Sequence, residues 1–179
     1  MPSKLAALAL LLTLTFAGCD KDNDEHGDAR AGKGKVAFYE LESATLLAGK
    51  CQVDPDNAKL SSSPIVGNND IISYSVEDRY WEVSDAAWQR LSKLKDNQPM
   101  AITLNNNVVY YFVNKPNYSS SSCDQSITMQ LWPKTPGFYT ENRVVMSLGY
   151  PGTLAGVTIT DRRNTPTLIH ELNAQKKLQ

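Results

Sequence analysis

Asp70-Ile-Ile-Ser-Tyr-Ser-Val76, Arg79-Tyr-Trp-Glu-Val83, Met100-Ala-Ile-Thr-Leu104 and Val108-Val-Tyr-Tyr-Phe-Val113 are the four runs on which the fold turns. Each is rich in β-branched and aromatic residues and is bounded by polar turn residues, the pattern of a strand. Only Glu77-Asp78 separates the first two, which predicts a hairpin, although Glu-Asp is not a favoured two-residue turn. Asn105-Asn106-Asn107 separates the last two and is a strong hairpin signal, because asparagine tolerates positive φ. Between the pairs, Ser84 precedes Asp85 as a helix start. Ala87, Trp88, Leu91 and Leu94 then recur at helical spacing, which predicts an amphipathic helix to about Lys95, ended by Asn97-Gln98-Pro99. The order β-β-α-β-β predicts an α+β fold with a mostly antiparallel sheet around a ββαββ central unit.

Outward from this centre the signals weaken. Upstream, Val36-Ala-Phe-Tyr-Glu-Leu-Glu42 reads as a strand with Glu40 and Glu42 on one face, and Ser43 to Gly49 is either a short helix stopped by Gly49 or more strand. Cys51 to Asn69 is loop, with turns at Asp54-Pro55-Asp56-Asn57 and Ser61-Ser-Ser-Pro64. Downstream, Asn114 to Asp124 is a second loop and Ile127 to Leu131 a strand, broken by Trp132-Pro-Lys-Thr-Pro-Gly137. Arg143 to Leu148 and Thr153 to Thr160 are predicted strands joined by the turn Gly149-Tyr-Pro-Gly152. Thr165-Pro166 sets a cap and a first-turn proline for a C-terminal helix, with Leu168, Ile169 and Leu172 as its apolar stripe. Residues 36–179 are thus expected to form one α+β domain.

The first residues say where the protein works. Lys4, the apolar run Leu5 to Phe16 and the small residues Ala17 and Gly18 form the n-region, h-region and cleavage region of an export signal. The run is too short to span a bilayer, which takes roughly 20 residues. The quartet Phe16-Ala17-Gly18-Cys19 resembles the lipobox of bacterial lipoproteins. That resemblance covers residues 1–19 only, and no family is recognised in the rest. It implies cleavage between Gly18 and Cys19, and diacylglycerol and a further acyl chain such as palmitate on Cys19. Two or more chains give stable membrane attachment where one is marginal. The alternative is an ordinary signal cut after Ala17 or Gly18, with Cys19 a stray thiol. Asp20 resembles the signal that retains lipoproteins in the inner membrane of enteric bacteria, although Lys21 is not its usual companion, so the outer membrane stays an alternative. Residues 20–35 contain no large apolar side chain and are expected to be a flexible tether, spanning roughly 20–25 Å as a coil. His26 falls there and reads as solvated.

Removing residues 1–18 takes away Lys4 alone and moves the net charge from −1 to about −2. The longest cationic runs are Arg162-Arg163 and Lys176-Lys177, so no basic patch tracks phosphates and nucleic acid is not an expected partner. With Cys19 lipidated, Cys51 and Cys123 remain, an even number that reads as one disulfide in an exported chain. Two buried free thiols or a metal pair are the competing readings. Neither cysteine has a histidine or second cysteine at ligand spacing, which argues against zinc.

The sequence carries no complete catalytic constellation and points to no catalytic residue, metal or cofactor. His170 is the only histidine beyond the tether, and its neighbour Glu171 points roughly 100° away on the predicted helix. Ser92-Lys-Leu-Lys95 matches the Ser-x-x-Lys of penicillin-binding enzymes, but their companion motifs are missing and both residues belong to a wet helix face. Glu40 with Glu42, and Glu77 with Asp78 and Glu82, are carboxylate groupings a glycosidase would need, and as surface charges they read more simply as solvated.

Two features suggest binding. Aromatics crowd the hairpins, and alternation puts Tyr80 opposite Trp81, and Tyr110 opposite Tyr111. Either one set leaves the core or the sheet is covered on both faces. Tyr80, Trp81, Tyr111 and Tyr118 are therefore candidate partner contacts. Arg162 and Arg163 follow as recognition candidates, with Asp161 able to clasp either one. The leading reading is a membrane-anchored periplasmic lipoprotein that binds another protein without catalysis. It would be either an envelope-complex accessory subunit or an immunity or inhibitor protein directed at a toxin or wall hydrolase. An envelope hydrolase acting on peptidoglycan or lipid, and a small-ligand carrier, are the alternatives.

Overall fold

The structure, a computed structural model, describes residues 34–44, 46–48 and 50–179. The expected signal peptide, Cys19, Asp20, His26 and the expected stop at Gly49 lie outside these residues. Of the expected tether only Gly34 and Lys35 are described, and both are tied to the fold. Gln175 Nε2 donates to Gly34 O at 2.6 Å, and Lys35 N donates to Asn105 Oδ1 at 2.8 Å.

Eight strands form, β1 (Val36–Ser43), β2 (Lys59–Leu60), β3 (Ile71–Ser75), β4 (Tyr80–Val83), β5 (Pro99–Leu104), β6 (Asn107–Asn114), β7 (Cys123–Trp132) and β8 (Arg143–Tyr150). Helix α1 (Asp85–Leu91) follows β4 and α2 (Pro166–Ala174) follows β8. The fold is α+β. Asn105 and Asn106 both take positive φ, 53° and 65°, which gives the tight turn that joins β5 to β6. The β3–β4 connection is longer than the expected two residues. It runs Val76–Arg79, with Arg79 at φ 57° and Asp78 N donating to Ser75 Oγ at 3.1 Å. Glu-Asp alone does not supply the positive φ of a two-residue turn, so the chain places it on Arg79.

The strand order is β2-β1-β5-β6-β7-β8-β4-β3. Two expectations are corrected by it. The sheet is mixed, because β6 and β7 run parallel. There is also no contiguous ββαββ unit. The β3–β4 and β5–β6 hairpins lie on opposite sides of the sheet with β7 and β8 between them. The free edge of β4 is taken by β8, at Tyr80↔Val145 and Trp81↔Val144, and that of β5 by β1, at Phe38↔Ile102. Period-two patterning says which face of a strand is buried and nothing about a distant partner.

One face of the sheet packs the main core, where Phe38, Trp81, Phe112, Met129 and Met146 meet the buried Leu168 and Leu172 of α2 and Ala87 and Leu91 of α1. Phe38 and Trp81 meet edge-on at 5.3 Å between ring centroids, worth about 1 kcal/mol beyond their burial. The other face carries a smaller cluster of Leu41, Val53 and Ala101, with Tyr111 packed against it. Apolar side chains thus pack on both faces. That explains how the alternating aromatics are accommodated.

Ser84 caps α1 by accepting from Ala87 N at 3.2 Å, and Arg90 returns to Asp70 at 2.6 Å. Thr165 stands at the N-cap of α2 without a side-chain capping bond, and Pro166 supplies the first-turn residue. The predicted strand at Thr153–Thr160 does not form; the segment is a turn at Ala155-Gly156 followed by chain without regular secondary structure. Segment Lys177–Gln179 instead lies along β3, with Tyr74 N donating to Lys177 O at 2.7 Å. Cys51 and Cys123 form a disulfide across a separation of 72 residues. Among the described residues, no helix is long and apolar enough to cross a membrane.

Candidate functional site

Parallel neighbours usually need a crossover of a dozen or more residues, yet β6 and β7 are joined by the short link Lys115–Ser122. They pair at Val113↔Thr128 and Asn114↔Met129, and Lys115 N donates to Met129 O at 2.8 Å. No pairing is registered further towards Asn107 and Cys123, so the two strands part at their N-terminal ends. A cleft of about 710 Å³ occupies the parting. Val108–Tyr111 and Gln125–Ile127 line it from the two strands.

Two walls of irregular chain complete the cleft. Lys50, Gln52, Val53 and Pro55 form the first. Cys51 is bonded to Cys123 at the start of β7, Leu46 bridges Val53, and Leu47 N donates to Gln52 O at 2.9 Å. The staple therefore holds Lys50 and Gln52, its chain neighbours, at the opening. Val157–Thr160 and Arg162 form the second wall. Ile159 packs against the main core while Val53 belongs to the smaller cluster, so the walls rise from opposite faces of the sheet.

Arg163 anchors the second wall. Its Nε and Nη2 donate to Asp161 at 2.8 and 2.7 Å, and its Nη1 donates to Met146 O at 2.7 Å. Hydrogen bonding to Arg163 holds the Asp161 carboxyl below its ordinary range. Tyr74 Oη donates to Asn164 Oδ1 at 2.7 Å and Asn164 Nδ2 donates to Val76 O at 3.1 Å, fixing the next residue along. Arg162 is left exposed at the cleft.

The cleft's electrostatics are one-sided. Lys50 and Arg162 are exposed cations, and among the described residues neither forms an ion pair and no carboxylate lines the cleft. Hydroxyls and amides come from Ser126, Thr158, Thr160, Gln52 and Gln125. Partial burial raises the Tyr111 phenol above its ordinary value, so it is a neutral donor and acceptor. Such a lining can bind and orient an anionic, partly apolar ligand.

The residues singled out from sequence are scattered. Tyr111 and Arg162 come together at the cleft. Tyr118 stands elsewhere, 84% exposed, in the β6–β7 link; the neighbouring Asn117 Nδ2 donates to Leu131 O near the far end of β7. Trp81 is wholly buried in the core and presents no surface to a partner. Tyr80 is also buried; its Oη donates to Gln179 Oε1 at 2.9 Å and its ring lies 4.4 Å under the Arg143 guanidinium. Arg163 is the clasp just described. Lys50, Gln52, Gln125 and Ser126 were not apparent from sequence, and the one signal pointing to them was their closeness to Cys51 and Cys123.

The residues weighed for catalysis are apart as well. His170 is exposed on α2 and makes no side-chain hydrogen bond among the described residues, while Glu171 Oε1 accepts from Gln175 Nε2 at 3.0 Å. Glu40 borders a separate groove of about 240 Å³ with Arg90 and Lys93, and Glu42 pairs with Lys59 at 3.0 Å. Glu82 accepts from Ser73 Oγ at 2.8 Å, and Ser92 Oγ donates to Gln89 O at 3.1 Å. Among the described residues no three His, Cys, Asp or Glu side chains are grouped to hold a metal. Comparison with known protein families, with curated proteins and with solved structures finds no match.

Proposed function

We propose that the protein is a membrane-anchored lipoprotein of the bacterial envelope whose folded domain binds another protein without catalysis. The supporting observation is the cleft between the parted strands β6 and β7, with Tyr111 and Arg162 at its opening. Strand edges without neighbours are pairing surfaces, and half-exposed tyrosine and arginine are favoured contacts at protein interfaces. The lipid expected on Cys19 would hold this surface at the inner membrane, as Asp20 suggests, or at the outer one. Either an accessory subunit of an envelope complex or an immunity or inhibitor protein would use such a surface.

The test is crosslinking in intact envelopes followed by pulldown of the full chain. Tyr111→Asp is expected to abolish partner capture, while His170→Ala and Glu40→Ala keep both capture and biological activity. Loss of activity in either alanine variant, with folding and capture intact, would establish the hydrolase reading instead. Cys19→Ser is expected to move the protein from the membrane to the soluble fraction; retention in the membrane would refute the anchor.

A further inference from the structure

We infer that the cleft takes one extended segment of the partner, carrying a carboxylate, laid as an added strand against the open edge of β6. The inference rests on the protein-binding reading above and names the chemistry of what is bound.

Lys115 N donates to Met129 O, so β6 presents a hydrogen-bonding side towards β7 at that point. Alternation along a strand returns the backbone groups of every second residue to the same side, which brings Tyr111 to the β7-facing edge. Val113, between them, is paired with Thr128, whereas Tyr111 pairs with Ala101 of β5 on its other side and has no registered partner on β7. From Val108 to Tyr111 the open edge offers roughly 13 Å of strand, with a register shift against β5 at Val109. An extended peptide satisfies such an edge by main-chain bonds, and pockets beneath its alternate side chains supply selectivity. This chain already uses that chemistry at another margin of the sheet, where Tyr74 N donates to Lys177 O at 2.7 Å and Gln179 N to Tyr74 O at 3.0 Å.

Charge narrows the occupant. Lys50 on one wall and Arg162 on the other border a cleft that, among the described residues, no carboxylate lines. Arg163, one residue on, is neutralised by Asp161, so its neighbour's charge is left for a ligand. Complementary charge selects partner and register more than it adds affinity, and two cations flanking one strand suit an Asp or Glu side chain midway along it. Val108 and Val157 give the residues beside that carboxylate apolar contacts. A nucleic acid is disfavoured, since two cations on a chain of net charge −1 give no phosphate track.

The experiment is panning of a random dodecapeptide phage library on the full chain, followed by hydrogen exchange with the enriched peptides. Enriched sequences should carry Asp or Glu among β-branched residues and should slow exchange at the Tyr111 amide. Lys50→Glu combined with Arg162→Glu should weaken them roughly tenfold or more and shift the selection towards Lys and Arg. Both side chains are exposed, so the variant should fold, and Lys50→Gln with Arg162→Gln, checked by circular dichroism, provides a second reading. Failure to enrich, enrichment indifferent to charge reversal, protection elsewhere, or a co-purified small molecule that peptides cannot displace would each overturn the inference. If panning fails while partner capture is still lost in Tyr111→Asp, the added-strand inference alone falls. If capture is insensitive to Tyr111→Asp, the cleft reading falls with it.

Discussion

Lys115 Nζ lies 3.0 Å from Asp96 Oδ1 although the lysine side chain is wholly buried. The ammonium also donates to Asn97 Oδ1 at 3.0 Å and to Ser121 Oγ at 2.8 Å, and it sits 5.3 Å from the centroid of the Tyr150 ring. Burial works against ionised Asp96, but hydrogen bonds from the Ser119 hydroxyl and from Lys115 outweigh it and hold the carboxyl below its ordinary value. This pair fastens the β6–β7 link where the two strands meet, at the closed end of the cleft.

Removing Asp96 leaves a buried charge without its counterion, while replacing Lys115 by methionine removes the charge itself. Asp96→Ala should therefore cost more, roughly 2–3 kcal/mol, at the low end for a broken buried pair because the carboxylate is partly exposed. Lys115→Met should cost less. Urea unfolding of both variants checks the order, and equal or reversed costs would show that the charge is not compensated as described.

The Cys51–Cys123 bond closes a long loop and positions the Lys50–Pro55 wall. Replacing both cysteines by serine should lower stability by up to about 4 kcal/mol in the chain-entropy account. Below the unfolding transition it should also weaken partner binding, because Lys50 and Gln52 lose their fixed place. Unfolding and binding titrations, with and without reductant on the native chain, measure both effects. Unchanged binding in the reduced but folded protein would remove this wall from the site.

Burial pushes the Tyr74 phenol up from 10.0 to about 12. A group whose folded pKa is raised contributes stability fully below its unfolded pKa and loses it as pH climbs through the folded value. Stability should hold to about pH 9 and fall by roughly 2–3 kcal/mol across the window from 10 to 12. The buried Tyr110 phenol, also raised, adds to the same slope. Tyr74→Phe should cost about 1 kcal/mol at neutral pH through its lost bond to Asn164, and should flatten the alkaline decline. Urea midpoints measured across that range decide it.

Gly149 takes φ 74°, and a Cβ there would lie 2.5 Å from Gly152 O. Its carbonyl also accepts from Thr128 Oγ1 at 3.0 Å, tying β8 to β7. Gly149→Ala should destabilise by roughly 1–3 kcal/mol. A Cβ at Gly152 meets nothing within 4 Å, so Gly152→Ala should be near neutral. Paired thermal melts test the contrast.

Local chemistry was legible in the sequence and long-range pairing was not. Asn105-Asn106 announced its turn because few residues accept two successive positive φ angles. Ser84 and Pro166 marked helix starts for equally local reasons. By contrast, nothing in Arg143–Leu148 says that it adds to β4, and nothing in Ile127–Leu131 says that it runs parallel to β6. Thr153–Thr160 has a strand's composition but forms no strand, and its Val157–Thr160 part lines the cleft. The cleft arises where a pairing stops, a property of two distant segments together. Tyr111 and Arg162 stand out in the sequence as an aromatic and a cation, whereas Lys50 and Gln52 acquire their place only through the disulfide.

A photoreactive residue placed singly at Val108, at Tyr118 and at His170 in the full chain, and activated in intact cells, tests the cleft most directly. Val108 sits at the cleft, 37% exposed, while Tyr118 and His170 are exposed away from it. Val108 should give a protein adduct, weakened when Arg162 is changed to Glu, and Tyr118 and His170 should give none. An adduct from Tyr118 or His170, with none from Val108, would contradict the cleft reading.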